Sequence, residues 1–137
     1  MPSSIKIYET VLYANDLDAA KTFYTQVMGL RLLSQNELML VFSIDESYLL
    51  IFNSDKSSVL GRQVPSHGTR GQGHIAFVIT EDERGPWKTR LAEADIEIES
   101  EVQWDNDARG TSIYFRDPAG NSIELAPPNL WTYLKNP

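Results

Sequence analysis

The amino-acid sequence predicts an α+β protein built of two βαβββ modules in tandem. Three observations carry that expectation. A strand-like segment, a helical segment and a strand hairpin follow one another twice along the chain, the landmark spacings agree between the halves, and a polar Gly/Pro-rich stretch separates them. The first module is expected over about 5–53, the connecting loop over about 54–72 and the second module over about 73–131, within one domain spanning 1–137.

Residues 5–14, IKIYETVLYA, are β-branched and aromatic and read as a strand. A helix is expected near 17–28, because Leu17, Ala20, Tyr24, Val27 and Met28 recur at helical spacing. Asp16 is its N-cap and Gly29 its stop. Residues 38–43 and 47–52 form a hairpin around Asp45-Glu46. In the second half, 74–79 (HIAFVI) is a strand, and a helix near 85–94 opens at Pro86 with Trp87, Leu91 and Ala94 on one face. Residues 111–116 and 121–126 form another hairpin around Asp117-Pro118-Ala119-Gly120. That turn is structural: Pro presets φ and Gly/Asn tolerate positive φ, so it sets the register that aims Glu124 inward. The order βαβββ twice implies eight main strands, of which these segments place six.

Counting aligns the halves. Glu9 lies seven residues before Asp16, and His74 seven before Glu81. Glu9 to Leu30 is 21 residues and His74 to Ile96 is 22, so Glu9 and His74 occupy equivalent positions. The counterpart of Glu124 falls near Leu50 or Ile51, both apolar.

Composition excludes several classes. The chain has 42% hydrophobic and 23% charged residues, ordinary for globular material. It has no cysteine, which removes disulfides, thiolate metal sites and a cysteine nucleophile. A net charge of −7 with scattered Lys and Arg argues against a nucleic-acid partner. No apolar run approaches the roughly 20 residues that cross a bilayer, so no membrane partner is expected. MPSSIKIYET lacks the pattern of a secretory signal, and a cytoplasmic location is the default.

YFRDPAGNSIEL (114–125), GHIAF (73–77) and DLDAAKTFYTQVMGL (16–30), in order and at these spacings, resemble the vicinal oxygen chelate superfamily. That superfamily includes glyoxalases, bleomycin-resistance proteins and extradiol dioxygenases, and the resemblance runs from about residue 5 to 131. It implies a curved mixed sheet around a metal-site cavity. It also implies one divalent metal ion, held by Glu9, His74 and Glu124 from the first and last strands of the modules. The fourth ligand position falls on Leu50 or Ile51, which have no donor atom. One imidazole and two carboxylates suit Mn, Fe(II), Zn, Ni or Mg, and three protein ligands leave positions open for substrate. Alternation puts His74 on the face of Ala76 and Val78, Glu124 on that of Ser122 and Ala126, and Glu9 on that of Ile7 and Val11.

The resemblance implies a metal-dependent enzyme, of lyase, isomerase or dioxygenase type, acting on a small molecule with vicinal oxygens. Glu9 or Glu124 would serve as base, and His67 in the loop VPSHGTRGQGH as a further acid–base group. The single matching histidine disfavours extradiol dioxygenation, and the missing fourth ligand counts against glyoxalase I activity. Arg70, Arg109 and Arg116 could bind a substrate anion but are more simply surface ion pairs. Trp104, Tyr114, Phe42, Tyr48 and Trp131 could line an apolar pocket or serve as packing. The competing expectation is a metal-free binding or antibiotic-resistance protein that sequesters a drug-like cation. A homodimer is expected in either case, because the family pairs its modules within a chain or across two.

Overall fold

The computed structural model describes residues 4–135. Contacts divide the chain into two compact units, the first ending at Gln72 and the second beginning at Gly73.

The first unit holds β1 (Glu9–Tyr13), α1 (Leu17–Thr22), β2 (Arg31–Gln35), β3 (Met39–Ile44), β4 (Ser47–Phe52) and α2 (Ser54–Ser57). Its four strands form a mixed sheet in the order β1-β4-β3-β2, with β1 parallel to β4. The second unit repeats the plan with β5 (His74–Val78), α3 (Arg84–Glu93), β6 (Ser100–Trp104), β7 (Gly110–Arg116), β8 (Ser122–Ala126) and a short α4 (Thr132–Lys135). Its order is β5-β8-β7-β6, with β5 parallel to β8. The expected α+β class and doubled βαβββ plan are therefore present.

One side of each sheet is apolar and covered by the helix of its own module. In the first unit Leu12, Leu40, Phe42, Leu49 and Ile51 are buried with Ala20, Phe23 and Tyr24. In the second, Ile113, Phe115, Ile123 and Leu125 are fully buried with Leu91. Burying each large side chain contributes roughly 1.5–3 kcal/mol by area, which makes these two cores the main term fixing the strands.

Three details differ from the sequence expectation. β1 starts at Glu9 rather than residue 5, because β4, its partner, begins at Ser47; upstream of Tyr8, whose carbonyl accepts from Tyr48 N–H, there is no strand to pair with. Ile7, expected on the Glu9 face, is exposed and outside the strand. The helix expected over 17–28 is α-helical only to Thr22, and Phe23–Val27 is a π-helical turn closed by Met28 N–H to the Phe23 carbonyl. Asp16 caps it through Ala19 N–H at 2.9 Å, and Gly29 ends it at a φ of 74°. In α3, Leu91 is buried, but Trp87 is only half-buried and Ala94 is exposed, so the expected apolar face narrows to one residue.

Candidate metal and substrate site

The parallel pairs of the two units superimpose in register. Val11 pairs with Leu50 as Ala76 pairs with Glu124, so Glu9 is equivalent to His74 and Leu50 to Glu124. The ladder thus settles on Leu50 where counting left Leu50 or Ile51. Ile51 is on the opposite side, fully buried with Leu12 and Leu49.

His74 and Glu124 come together across β5 and β8. His74 Nε2 is 3.2 Å from Glu124 Oε1, with the histidine half exposed and the carboxylate buried. The other ring nitrogen, Nδ1, is 3.0 Å from the Ser122 carbonyl. A carbonyl only accepts, so Nδ1 carries a proton and Nε2 is the nitrogen turned toward Glu124. A carboxylate oxygen this close to Nε2 calls for a cation between them, either a second proton on His74 or a metal ion. A ring fixed through Nδ1–H to a backbone carbonyl is also how metal-ligating histidines are oriented. An imidazole nitrogen and a carboxylate oxygen at this spacing are two donors of the type a divalent ion takes.

Glu124 has further partners. Ser112 Oγ donates to its Oε2 at 2.7 Å, and the Trp104 indole N–H donates to Ser112 Oγ at 2.9 Å. Tyr114 pairs with Glu124 in the ladder and lies parallel to the His74 ring at 6.4 Å. Its phenol is pushed above its ordinary range by burial first, then by the charge and hydrogen bonding of Glu124. A cleft of about 600 Å³ opens beside the pair, walled by Val78, Pro127, Pro128, Leu130 and Trp131.

Glu9 begins β1 in the first unit and is exposed. The cost of burying a carboxylate, which applies to Glu124, does not apply to it. Among the described residues no group of three or more His, Asp or Glu is already gathered as a metal cage. His67 also belongs to the first unit. Its Nδ1 is 2.7 Å from the Tyr13 hydroxyl, its N–H donates to the Ser57 carbonyl, and its ring stands edge-on to Phe52 at 4.6 Å. Tyr13 shares the Glu9 face four residues on, and burial raises its phenol. A larger cleft in that unit, about 740 Å³, runs past Asp16, Asn36, Asn53 and Lys56 and contains none of the expected site residues.

The three arginines are ion-paired: Arg70 with Asp55, Arg109 with Asp105 and Arg116 with Glu99. Of the aromatic candidates, Phe42 is core, Trp104 and Tyr114 adjoin Glu124, and Trp131 walls the cleft. The sequence reading passed over Tyr13 and Ser112. Both were reachable by alternation, Tyr13 from Glu9 along β1 and Ser112 from Tyr114 along β7.

A doubled βαβββ frame with a His–Glu pair on neighbouring parallel strands beside a cleft defines a class of small duplicated α+β proteins. The chain belongs to the glyoxalase/bleomycin resistance protein/dioxygenase superfamily, whose family model matches residues 6–125. It is similar to a lactoylglutathione lyase from Agrobacterium tumefaciens, 41% identical, covering 96% of this chain and 98% of that one with a TM-score of 0.84. It is 30% identical to the metallothiol transferase FosB of Shouchella clausii, over 81% of this chain and 72% of that protein. It is 28% identical to the glutathione transferase FosA of Serratia marcescens, over 83% and 74%. These relatives are enzymes of small-molecule chemistry. Among the described residues no helix is long and apolar enough to cross a membrane.

Proposed function

We propose that the chain is a metal-dependent enzyme acting on a small molecule with adjacent oxygens, with Glu9, His74 and Glu124 as the protein ligands. The observation that carries the reading is the approach of His74 Nε2 to Glu124 Oε1, 3.2 Å apart across β5 and β8. One divalent ion (Mn, Fe(II), Zn, Ni or Mg) supplies Lewis-acid polarisation of the substrate oxygens when bound. His74 holds its ring through the Ser122 carbonyl, and Glu124 keeps its second oxygen on Ser112. Glu9, exposed at the start of β1, is the carboxylate freer to accept a substrate proton. His67, hydrogen-bonded to Tyr13, supplies a further acid–base pair. The apolar wall of Val78, Pro127 and Trp131 takes the substrate body and keeps water from it. The relatives named as glutathione and thiol transferases make a thiol such as glutathione, offered together with a small molecule bearing adjacent oxygens, the first combination to assay. We place this activity in a cytoplasmic homodimer, which sedimentation would show at about twice 15.5 kDa.

Thermal melts with and without added Mn, Ni, Zn or Fe(II) test the ligand set. The wild type should gain stability with at least one ion. His74→Ala and Glu124→Ala should lose that gain, and Glu9→Gln should keep part of it, because an amide oxygen still ligates. No gain with any ion would overturn the metal reading in favour of a metal-free binding or resistance protein. His67→Ala should lower turnover at unchanged metal content; unchanged turnover would leave His67 as packing on Tyr13 and Phe52.

A further inference from the structure

We propose that Trp104 and Ser112 are positioning residues that set the orientation of the Glu124 carboxylate for the ion. The inference rests on the metal reading above and adds residues to which no role has been given.

The chemistry of the donors fixes the direction of the relay. An indole N–H can only donate, so at 2.9 Å Ser112 Oγ must accept from Trp104. That occupies one side of the hydroxyl and leaves its own proton for another acceptor. Glu124 Oε2, 2.7 Å away, takes it. Ser112 is fully buried, so water does not compete for the hydroxyl. With Oε2 held, the remaining oxygen, Oε1, is the one turned toward His74 Nε2. The relay therefore decides which carboxylate oxygen is presented and prevents the side chain from turning both away.

Trp104 is itself braced. The Arg109 guanidinium lies over its ring at 5.7 Å and over Tyr133 at 4.9 Å. Arg109 also donates to Asp105 at 2.7 Å and to the Leu130 carbonyl at 3.1 Å. Leu130 and Trp131 wall the cleft. One arginine thus ties the cleft wall to the tryptophan that begins the relay. Removing the hydroxyl or the indole N–H leaves His74 and Glu124 in the sequence but weakens the hold on the carboxylate, leaving Tyr114 as its other side-chain partner.

The test is Mn(II) titration of the full chain, followed by calorimetry or by the spin resonance of the free ion, for wild type, Ser112→Ala, Trp104→Phe and the double variant. Ser112→Ala should weaken Mn(II) binding by about 10–100-fold, as loss of a hydrogen bond behind a ligand does, and Trp104→Phe by about tenfold. The double variant should bind no more weakly than Ser112→Ala alone, because Trp104 acts through Ser112. Wild-type affinity in Ser112→Ala, which deletes one atom and leaves the fold, would overturn the inference while leaving the metal reading in place. So would losses that simply add in the double variant, as independent packing defects would. A wild type that binds no Mn(II) would overturn the metal reading and this inference with it.

Discussion

Replacing Asn121 by Ala should unlock the end of the β5–β8 pair that carries His74. Asn121 is 2% exposed and Asp117 5%, so their bonds form away from water. Asn121 Oδ1 accepts from Gly73 N–H at 2.8 Å, and its Nδ2 donates to Asp117 Oδ2 at 2.9 Å. Asp117 Oδ1 meanwhile accepts from the N–H groups of Ala119 and Asn121, which holds the turn closed. The substitution takes an acceptor from one part-buried amide and a donor from one buried carboxylate oxygen. At about 1 kcal/mol for the part-buried amide and about 2 kcal/mol for the carboxylate, the loss comes to about 3 kcal/mol. At roughly 3 °C per kcal/mol for a chain of this size, the melting temperature should fall by about 10 °C. Scanning calorimetry and urea unfolding of metal-free protein measure it. A loss below about 1 kcal/mol would refute the idea that this side chain bolts β5 to β8.

Two further outcomes follow from local geometry. Gly110 has a φ of +90°, and a Cβ there would sit 2.6 Å from Pro127 Cβ, so Gly110→Ala should cost at least about 2 kcal/mol in urea unfolding. Near-wild-type stability would show that the hairpin moves freely away from Pro127. The phenols of Tyr13 and Tyr114 are raised above the ordinary value near 10 that they recover on unfolding. Their contribution to stability is therefore complete below that value and is lost as pH rises through the folded-state values. Ultraviolet titration should show Tyr13 and Tyr114 among the late-ionising tyrosines, with Tyr114→Phe removing one of them. Early titration of all phenols would contradict the burial argument.

The helices, both hairpins and the duplication were legible in the sequence because each rests on short-range signals: Asp16 and Gly29 at the helix ends, and Asp117 through Asn121 in the turn. β2 and β6 were not placed by range. RLLSQ and SEVQW are edge strands with little burial, so they lack the apolar alternation that marks a strand. Family likeness put His74 and Glu124 on the first and last strands of one module, and their side chains lie 3.2 Å apart across β5 and β8. Trp87 and Ala94 misled because spacing alone cannot say how wide a face the sheet will cover. The relay from Trp104 escaped notice because it runs across three strands, and only the register of β6, β7 and β8 brings those residues side by side.

The substitution of Leu50 at the place equivalent to Glu124 gives the two modules different duties. Leu49 to Phe52 are all buried and apolar, so this stretch of β4 has nothing on it that protons or ions can address. β8 carries the same backbone ladder with one carboxylate set into it. Of the two equivalent places, the cost of holding a buried carboxylate therefore falls on the one in the second copy. Duplication has left one of them to packing and the other free to carry a costly charge.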